Sequence, residues 1–217
     1  MSDDKISNNL AVDAALHLDG DPQKVRAYYD EWASKYEIDV GESEYSGPEL
    51  AAKLFQQFNR SGRQAVCYSF DILDAGCGTG LVGVELAKLG YQCIDGFDLS
   101  DVMAQKATET GSYREVKGDI DMMQAAQSYT PQSYAAVLCI GVFTLGHVPP
   151  EALRVLIELL SPGGLLVVST RSHYYDQSDF QQIVDDLIAS GEISLLKRIK
   201  DTPYNKDGLA HYWVFEK

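Results

Sequence analysis

Asp74, Asp98, Asp119 and His147, with glycines at 76, 78 and 80, are the residues whose types and spacing suit chemistry. The glycines alternate just after an apolar run, 70–73, that reads as a buried strand ended by Asp74; 81–89 then reads as a helix. Strand, glycine loop and helix form the opening unit of a nucleotide-binding α/β sheet. Glycine lets such a loop turn sharply and lets a ligand approach with no Cβ in the way. The helix start offers unpaired N–H groups. Gly78, Gly80 and Gly83 match the dinucleotide pattern G-x-G-x-x-G, and Asp98 stands near where a ribose-binding acid belongs. Asp74 argues against a dinucleotide, because a pyrophosphate beside a carboxylate costs Coulomb energy in a low-dielectric cleft. A ligand with a cationic end would tolerate that acid. A purely structural glycine turn is the remaining reading of the loop.

Leu73-Asp74-Ala75-Gly76-Cys77-Gly78-Thr79-Gly80 resembles motif I of the class I methyltransferases that use S-adenosylmethionine (SAM). SAM carries an ammonium and a sulfonium and no phosphate. Gly96-Phe97-Asp98-Leu99-Ser100 resembles the G-x-D-x-S segment of that class, and Ser161-Pro162-Gly163-Gly164 its turn before strand five. Within the class the chain is most similar to the Williams–Beuren syndrome region methyltransferase-like proteins. The likeness rests on Asp21-Pro22-Gln23-Lys24-Val25 through Asp39-Val40, on Gly78-Thr79-Gly80-Leu81-Val82-Gly83, and on Pro162-Gly163-Gly164-Leu165 with Thr170-Arg171. It covers nearly the whole chain from Asp21 onward. It implies an α/β fold: a doubly wound, seven-stranded, mostly parallel Rossmann-like sheet with an antiparallel last strand and N-terminal capping helices. Residues 1–62 would be the tail and lid, and 63–217 the SAM-binding domain. It also implies SAM as cofactor and S-adenosylhomocysteine as product.

Asp98 has two acceptor oxygens when ionised and can hold both ribose hydroxyls; the N-cap of the following helix suits Ser100 better. The resemblance implies that Asp74, Gly76, Gly78 and Gly80 shape the cofactor loop and that Leu99 packs on adenine. Met103 offers adenine a soft contact. The resemblance sets Asp119, with Ile120, at the adenine amine, and the backbone near Ile140 at the cofactor's ammonium. A plain Asx turn is the other reading of Asp119. Tyr29-Asp30-Glu31-Trp32-Ala33-Ser34-Lys35-Tyr36 resembles the Y-D-x-W-A-x-x-Y segment of many small-molecule methyltransferases. That likeness implies a cofactor contact for Tyr36 and a substrate-facing role for Tyr28. His147, six residues after Gly141, can take a proton from a hydroxyl nucleophile; otherwise it is a polar link in its loop. The (N/D)-P-P-(Y/F) motif of many nitrogen methyltransferases is missing after strand four, which argues against base or amide methylation of that type.

The elements that must position these residues follow from pattern. Asp21 as N-cap with Pro22 behind it opens a helix expected to run to about 40. Val25, Tyr28, Tyr29, Trp32 and Tyr36 stripe one face of it, either packing below or closing over a site as a lid. A second helix is expected over 48–59, and strands over 91–97, 113–116, 134–140, 165–170, 193–199 and 210–215. Further helices are expected over 151–160 and 178–190, with 200–209, including Tyr204, as a loop bordering the site. Arg171, Ser172 and His173 fall at the end of strand five, where open α/β sheets bind ligands.

The 217 residues suit one α/β domain with a small N-terminal addition. Lys and Arg number 18 against 32 Asp and Glu, a net charge of −14 that disfavours a nucleic-acid partner. Lys197-Arg198-Ile199-Lys200 is a local basic patch and reads as the solvated end of a strand. The four cysteines, Cys67, Cys77, Cys93 and Cys139, form no C-x-x-C and suit neither a zinc site nor a secreted disulfide framework. No metal site is expected, and a reducing, cytoplasmic location is. The polar start lacks a signal sequence, and the apolar stretch 135–145 is too short to span a bilayer, so no membrane association is expected. The expected acceptor is a small molecule. A protein or RNA acceptor, a catalytically silent SAM-binding protein and, more remotely, a dehydrogenase are the alternatives. The pattern carries no signal for oligomeric state.

Overall fold

The apolar runs in the chain do become strands. The computed structural model describes residues 14–15, 18–61, 70–206 and 208–217. Strands β1 (Ile72–Ala75), β2 (Ile94–Phe97), β3 (Glu115–Lys117), β4 (Tyr134–Phe143), β5 (Leu160–Arg171), β6 (Ser194–Asn205) and β7 (Gly208–Glu216) form one seven-stranded sheet. Their order is β3-β2-β1-β4-β5-β7-β6. The first five pair in parallel, and β7 runs antiparallel to both β5 and β6. The order reverses between β1 and β4, so their loops diverge and leave a crevice at the strand ends.

The described helices are α1 (Pro22–Trp32), α2 (Tyr36–Glu42), α3 (Gly47–Ser61), α4 (Leu81–Lys88), α5 (Asp101–Glu109), α6 (Ala125–Ser128), α7 (Ala152–Leu159), α8 (Ser172–Gln177) and α9 (Phe180–Ala189). Successive strand residues point to opposite faces. Ile72, Ala136, Leu138, Ile140 and Val167 therefore meet α3 and α4, while Leu73, Val137, Cys139 and Val168 meet α7 and α9. Both faces are covered, which is why β4 is apolar almost throughout.

Some expectations change. The helix expected over 21–40 is two: the turn at 33–35 ends α1, and α2 starts at Tyr36. The turn lets the Asp39 carboxylate accept from the Trp32 indole N–H at 2.7 Å. It also packs Tyr36 edge-on against Trp32, with ring centroids 4.8 Å apart. In α3, part of the expected tail and lid over 1–62, Ala51, Ala52, Leu54 and Phe55 are buried in the sheet core. The 62/63 boundary itself, like Cys67, lies outside the described residues. The expected loop 200–209 is instead the tip of the β6–β7 hairpin, paired from Thr202↔Ala210 to Asn205↔Gly208. The helix expected over 178–190 is present as α9, and a short additional helix, α8, precedes it.

Candidate functional site

Two cavities open over the crevice. The larger, about 120 Å³, lies beneath α1 and is walled by the loops after β1, β2 and β4. Gly76, at φ +75°, sits tight against Val142, where a Cβ would come within 2.5 Å of a methyl carbon. Gly78, at φ +54°, faces open space in which a Cβ would meet nothing within 4 Å. The one glycine closes the loop onto its neighbour; the other keeps the backbone bare toward the cavity.

Asp98 is fixed at the end of β2. The Gly78 N–H donates to its Oδ2 at 2.8 Å and the Ser100 N–H to its Oδ1 at 2.9 Å. Each oxygen keeps acceptor capacity toward the cavity. Burial pushes the carboxyl up to about 6, against the pull of those two backbone bonds. Ser100 caps α5 by accepting from the Met103 N–H at 3.0 Å, as its sequence position predicts. Its hydroxyl also donates to Asp30 at 2.5 Å, tying α1 to the floor of the cavity.

Tyr36, Gly76, Gly78, Asp98, Leu99, Met103, Ile120, Ile140 and His147 all line this cavity. Four of the sequence-expected residues do not. β1 runs on through Asp74, so strand alternation turns its side chain to the α3–α4 face. There it is 1% exposed, and Oδ2 accepts from the Tyr113 hydroxyl at 2.6 Å. Burial pushes its carboxyl up to about 7 despite that bond. Gly80 abuts Ala107 of α5, where a Cβ would lie 3.0 Å from the Ala107 Cα; it serves helix packing. Asp119 turns outward, its side chain 67% exposed and paired with Arg26, while Asp121 takes a place in the wall. Tyr28 lines neither cavity; Tyr29, one helical step of about 100° away, lines both.

The walls combine a half-buried acid, Asp98, with the apolar side chains of Phe97, Leu99, Met103 and Ile120. The single lining cation, Arg26, is already paired with Asp119 and Asp30. A pyrophosphate finds no free cation here. A diol, an apolar heterocycle and a cationic tail find an acceptor, a greasy wall and an acidic surround, so the residues present fit SAM. Cys77 and Cys139 are buried, which pushes both thiols up and leaves them inert. Among the described residues no group of three His, Cys, Asp or Glu side chains could hold a metal ion.

Tyr29, Tyr36, Gly141 and His147 form the wall shared with a smaller cavity of about 70 Å³. In that wall the Tyr29 hydroxyl lies 2.7 Å from His147 Nε2. His147 Nδ1 lies 2.9 Å from the Leu145 carbonyl, which can only accept. The proton therefore belongs on Nδ1, and Nε2 accepts from Tyr29. Burial lowers the His147 pKa and pushes that of Tyr29 well up, so both are neutral near pH 7. Rings from distant segments complete the smaller cavity: Trp32, Tyr45 and Tyr204, with Arg171. The pattern offered no sign of Tyr29 over Tyr28, since both lie on the aromatic face of α1.

A family model described as a methyltransferase domain matches residues 43–213, which takes in α3 and all of the sheet but the end of β7. Human methyltransferase-like protein 27 is 33% identical over 149 residues, 67% of this chain and 57% of that protein. The chain spans about half the length of the curated relatives it matches. Among solved structures, the cyclase SpnF superposes with a TM-score of 0.67 at 17% identity, over 93% of this chain and 98% of its own. A magnesium protoporphyrin IX methyltransferase from Synechocystis, solved with SAM bound, gives 0.64 at 18% identity, over 91% and 97%. Both likenesses are of fold.

Proposed function

The chain belongs to the methyltransferase domain family, and from that premise we propose that it transfers a methyl group from SAM to a small-molecule acceptor. The observation that carries this reading is the shared wall. Tyr29 and His147 stand between a cavity whose side chains suit SAM and a second cavity lined with rings. SAM, when bound, supplies an electrophilic methyl on a sulfonium, and S-adenosylhomocysteine is its product.

The chain's own residues then divide the work. Asp98 accepts from the ribose hydroxyls, and Leu99, Met103 and Ile120 pack on the adenine. Gly76 and Gly78 let the backbone come close, the backbone near Ile140 meets the ammonium, and Tyr36 closes the roof. His147 Nε2 is the base: the Tyr29 hydroxyl passes its proton to Nε2 as it takes one from the acceptor's hydroxyl. Both groups are neutral at the start, so neither repels the cationic donor. Helices α1 and α2 act as the lid that keeps water out and lend Tyr29 and Tyr36 to the cavities, while the sheet and its loops carry the other ligand residues.

A small-molecule acceptor is in keeping with the similar protein named for magnesium protoporphyrin IX. It also agrees with a net charge of −14, which repels nucleic acid. The free thiols of Cys77, Cys93 and Cys139 support a reducing cytoplasm as its location. The test incubates the chain with methyl-labelled SAM and fractionated cell extract. Label should enter the small-molecule fraction and fail to do so with His147→Ala. Label in protein or RNA, or SAM binding with no transfer to any fraction, would overturn the reading.

A further inference from the structure

The smaller cavity holds an arginine with no counter-ion among the described residues. Arg171, at the end of β5, is half-buried, and its guanidinium lies over the Tyr204 ring, 4.5 Å from the centroid. Among the described residues no carboxylate lies within ion-pairing distance of it. The other arginines with described side chains are all engaged: Arg26 with Asp119, Arg114 with Asp95, Arg154 with Glu192 and Arg198 with Gln181. Arg198 too has no carboxylate partner among the described residues and lies over Trp213, but it lines neither cavity; of the two arginines that do, Arg26 is paired with acids and Arg171 with none among the described residues. Partly desolvating a cation with no partner costs free energy, which a bound anion would return.

The surroundings narrow the anion. Tyr29, Trp32, Tyr36, Tyr45 and Tyr204 line the same cavity and offer flat faces to a planar body. The Tyr204 hydroxyl donates to Tyr45 Oη at 3.1 Å, which leaves the Tyr45 proton as a donor with no acceptor among the described residues. Arg171 and Tyr45, both neighbours of Tyr204, thus supply donors to the cavity, and the fork of a guanidinium matches a carboxylate in two parallel bonds. Tyr29 and His147, two neutral groups suited to a hydroxyl, line the same cavity.

We propose that the smaller cavity takes a small aromatic hydroxy-acid, its carboxylate on Arg171 and Tyr45, its ring among the tyrosines and its hydroxyl toward the Tyr29–His147 wall. This deepens the methyltransferase reading, and as an acceptor assignment it rests on that reading.

The test is a calorimetric titration of the full chain with hydroxybenzoates and hydroxycinnamates, each against its uncharged amide. Titrations run with and without S-adenosylhomocysteine. The acids should bind at least about tenfold tighter than their amides. Arg171→Gln should erase that preference and leave S-adenosylhomocysteine binding unchanged, with Arg171→Lys in between. Equal binding of acid and amide, no binding of any acid, or an Arg171→Gln variant that loses S-adenosylhomocysteine instead would each overturn the proposal. If Arg171→Gln fails to fold, the acid-to-amide ratio of the native chain still decides. Failure of the native chain to bind S-adenosylhomocysteine sinks the methyltransferase reading, whereas loss of acid preference sinks only this one.

Discussion

The two cavities share a wall and differ in how they are made. The larger has a floor of strand ends and the loops that leave them, many of its residues set by near neighbours in sequence, beneath a roof from α1 and Tyr36. Gly78 and Asp98 meet because parallel β1 and β2 are adjacent, and Ser100 caps the very next helix. The smaller is assembled from segments far apart. Tyr45 and Tyr204, 159 residues apart, touch through their hydroxyls. The Ser46 N–H donates to the Tyr204 carbonyl at 3.2 Å, and the Lys206 N–H to the Ser43 carbonyl at 2.9 Å. One cavity belongs to the fold; the other belongs to this chain's particular lid and hairpin. The same fold in a cyclase makes the point, since fold alone does not choose a reaction.

The division can be broken at the shared wall first. His147→Ala should lower turnover by about 10²–10⁴-fold, the usual worth of a positioned base, and leave SAM affinity within a factor of a few. Turnover should fall with pH only below the ordinary histidine value of about 6.5, because burial lowers this pKa and His147 stays a base down to its folded value. A parallel loss of SAM affinity would assign the residue to the larger cavity alone.

Asp74, buried away from the cavities, and Asp98, half-buried and facing one, form the next contrast. The Asp74 carboxyl is held up to about 7 when folded, against about 3.9 when unfolded. The folded chain keeps this proton while the unfolded chain has lost it, so Asp74 costs stability as pH rises from about 4 to about 7. Asp74→Asn removes that penalty. Its stability relative to the native chain should grow across that window by on the order of 3 kcal/mol, read from denaturant melts, with SAM affinity unmoved. Asp98→Ala should instead weaken SAM binding by about 10–100-fold, the worth of hydrogen bonds to a charged acceptor. Calorimetry separates the two. The smallest effect belongs to Tyr28→Phe, expected to change turnover less than about twofold, as surface changes away from a site do. Tyr29→Phe, one residue on, should lower turnover well beyond that.

The larger cavity was therefore largely legible and the smaller was not. Alternating glycines, an acid at a strand end and a serine N-cap act over a few residues, so sequence order reveals them. Asp74 misled because aspartate usually ends strands. Here pairing with Gly96 and Leu138 carries β1 past it, and Tyr113 supplies the partner that makes the burial tolerable. The turn at 33–35 was hidden because every residue in it suits a helix; what breaks α1 is tertiary, the Trp32 contacts with Asp39 and Tyr36. The hairpin tip read as a loop because Pro203 and Gly208 signal turns, yet strand pairing continues through both.

The central claim, that the larger cavity is a SAM site, is tested most directly by calorimetry of the native chain with SAM, S-adenosylhomocysteine and NAD. The expected result is binding of both sulfur compounds, abolished or strongly weakened in Asp98→Ala, with no heat from NAD. Binding of NAD, or no binding of either sulfur compound, would contradict it.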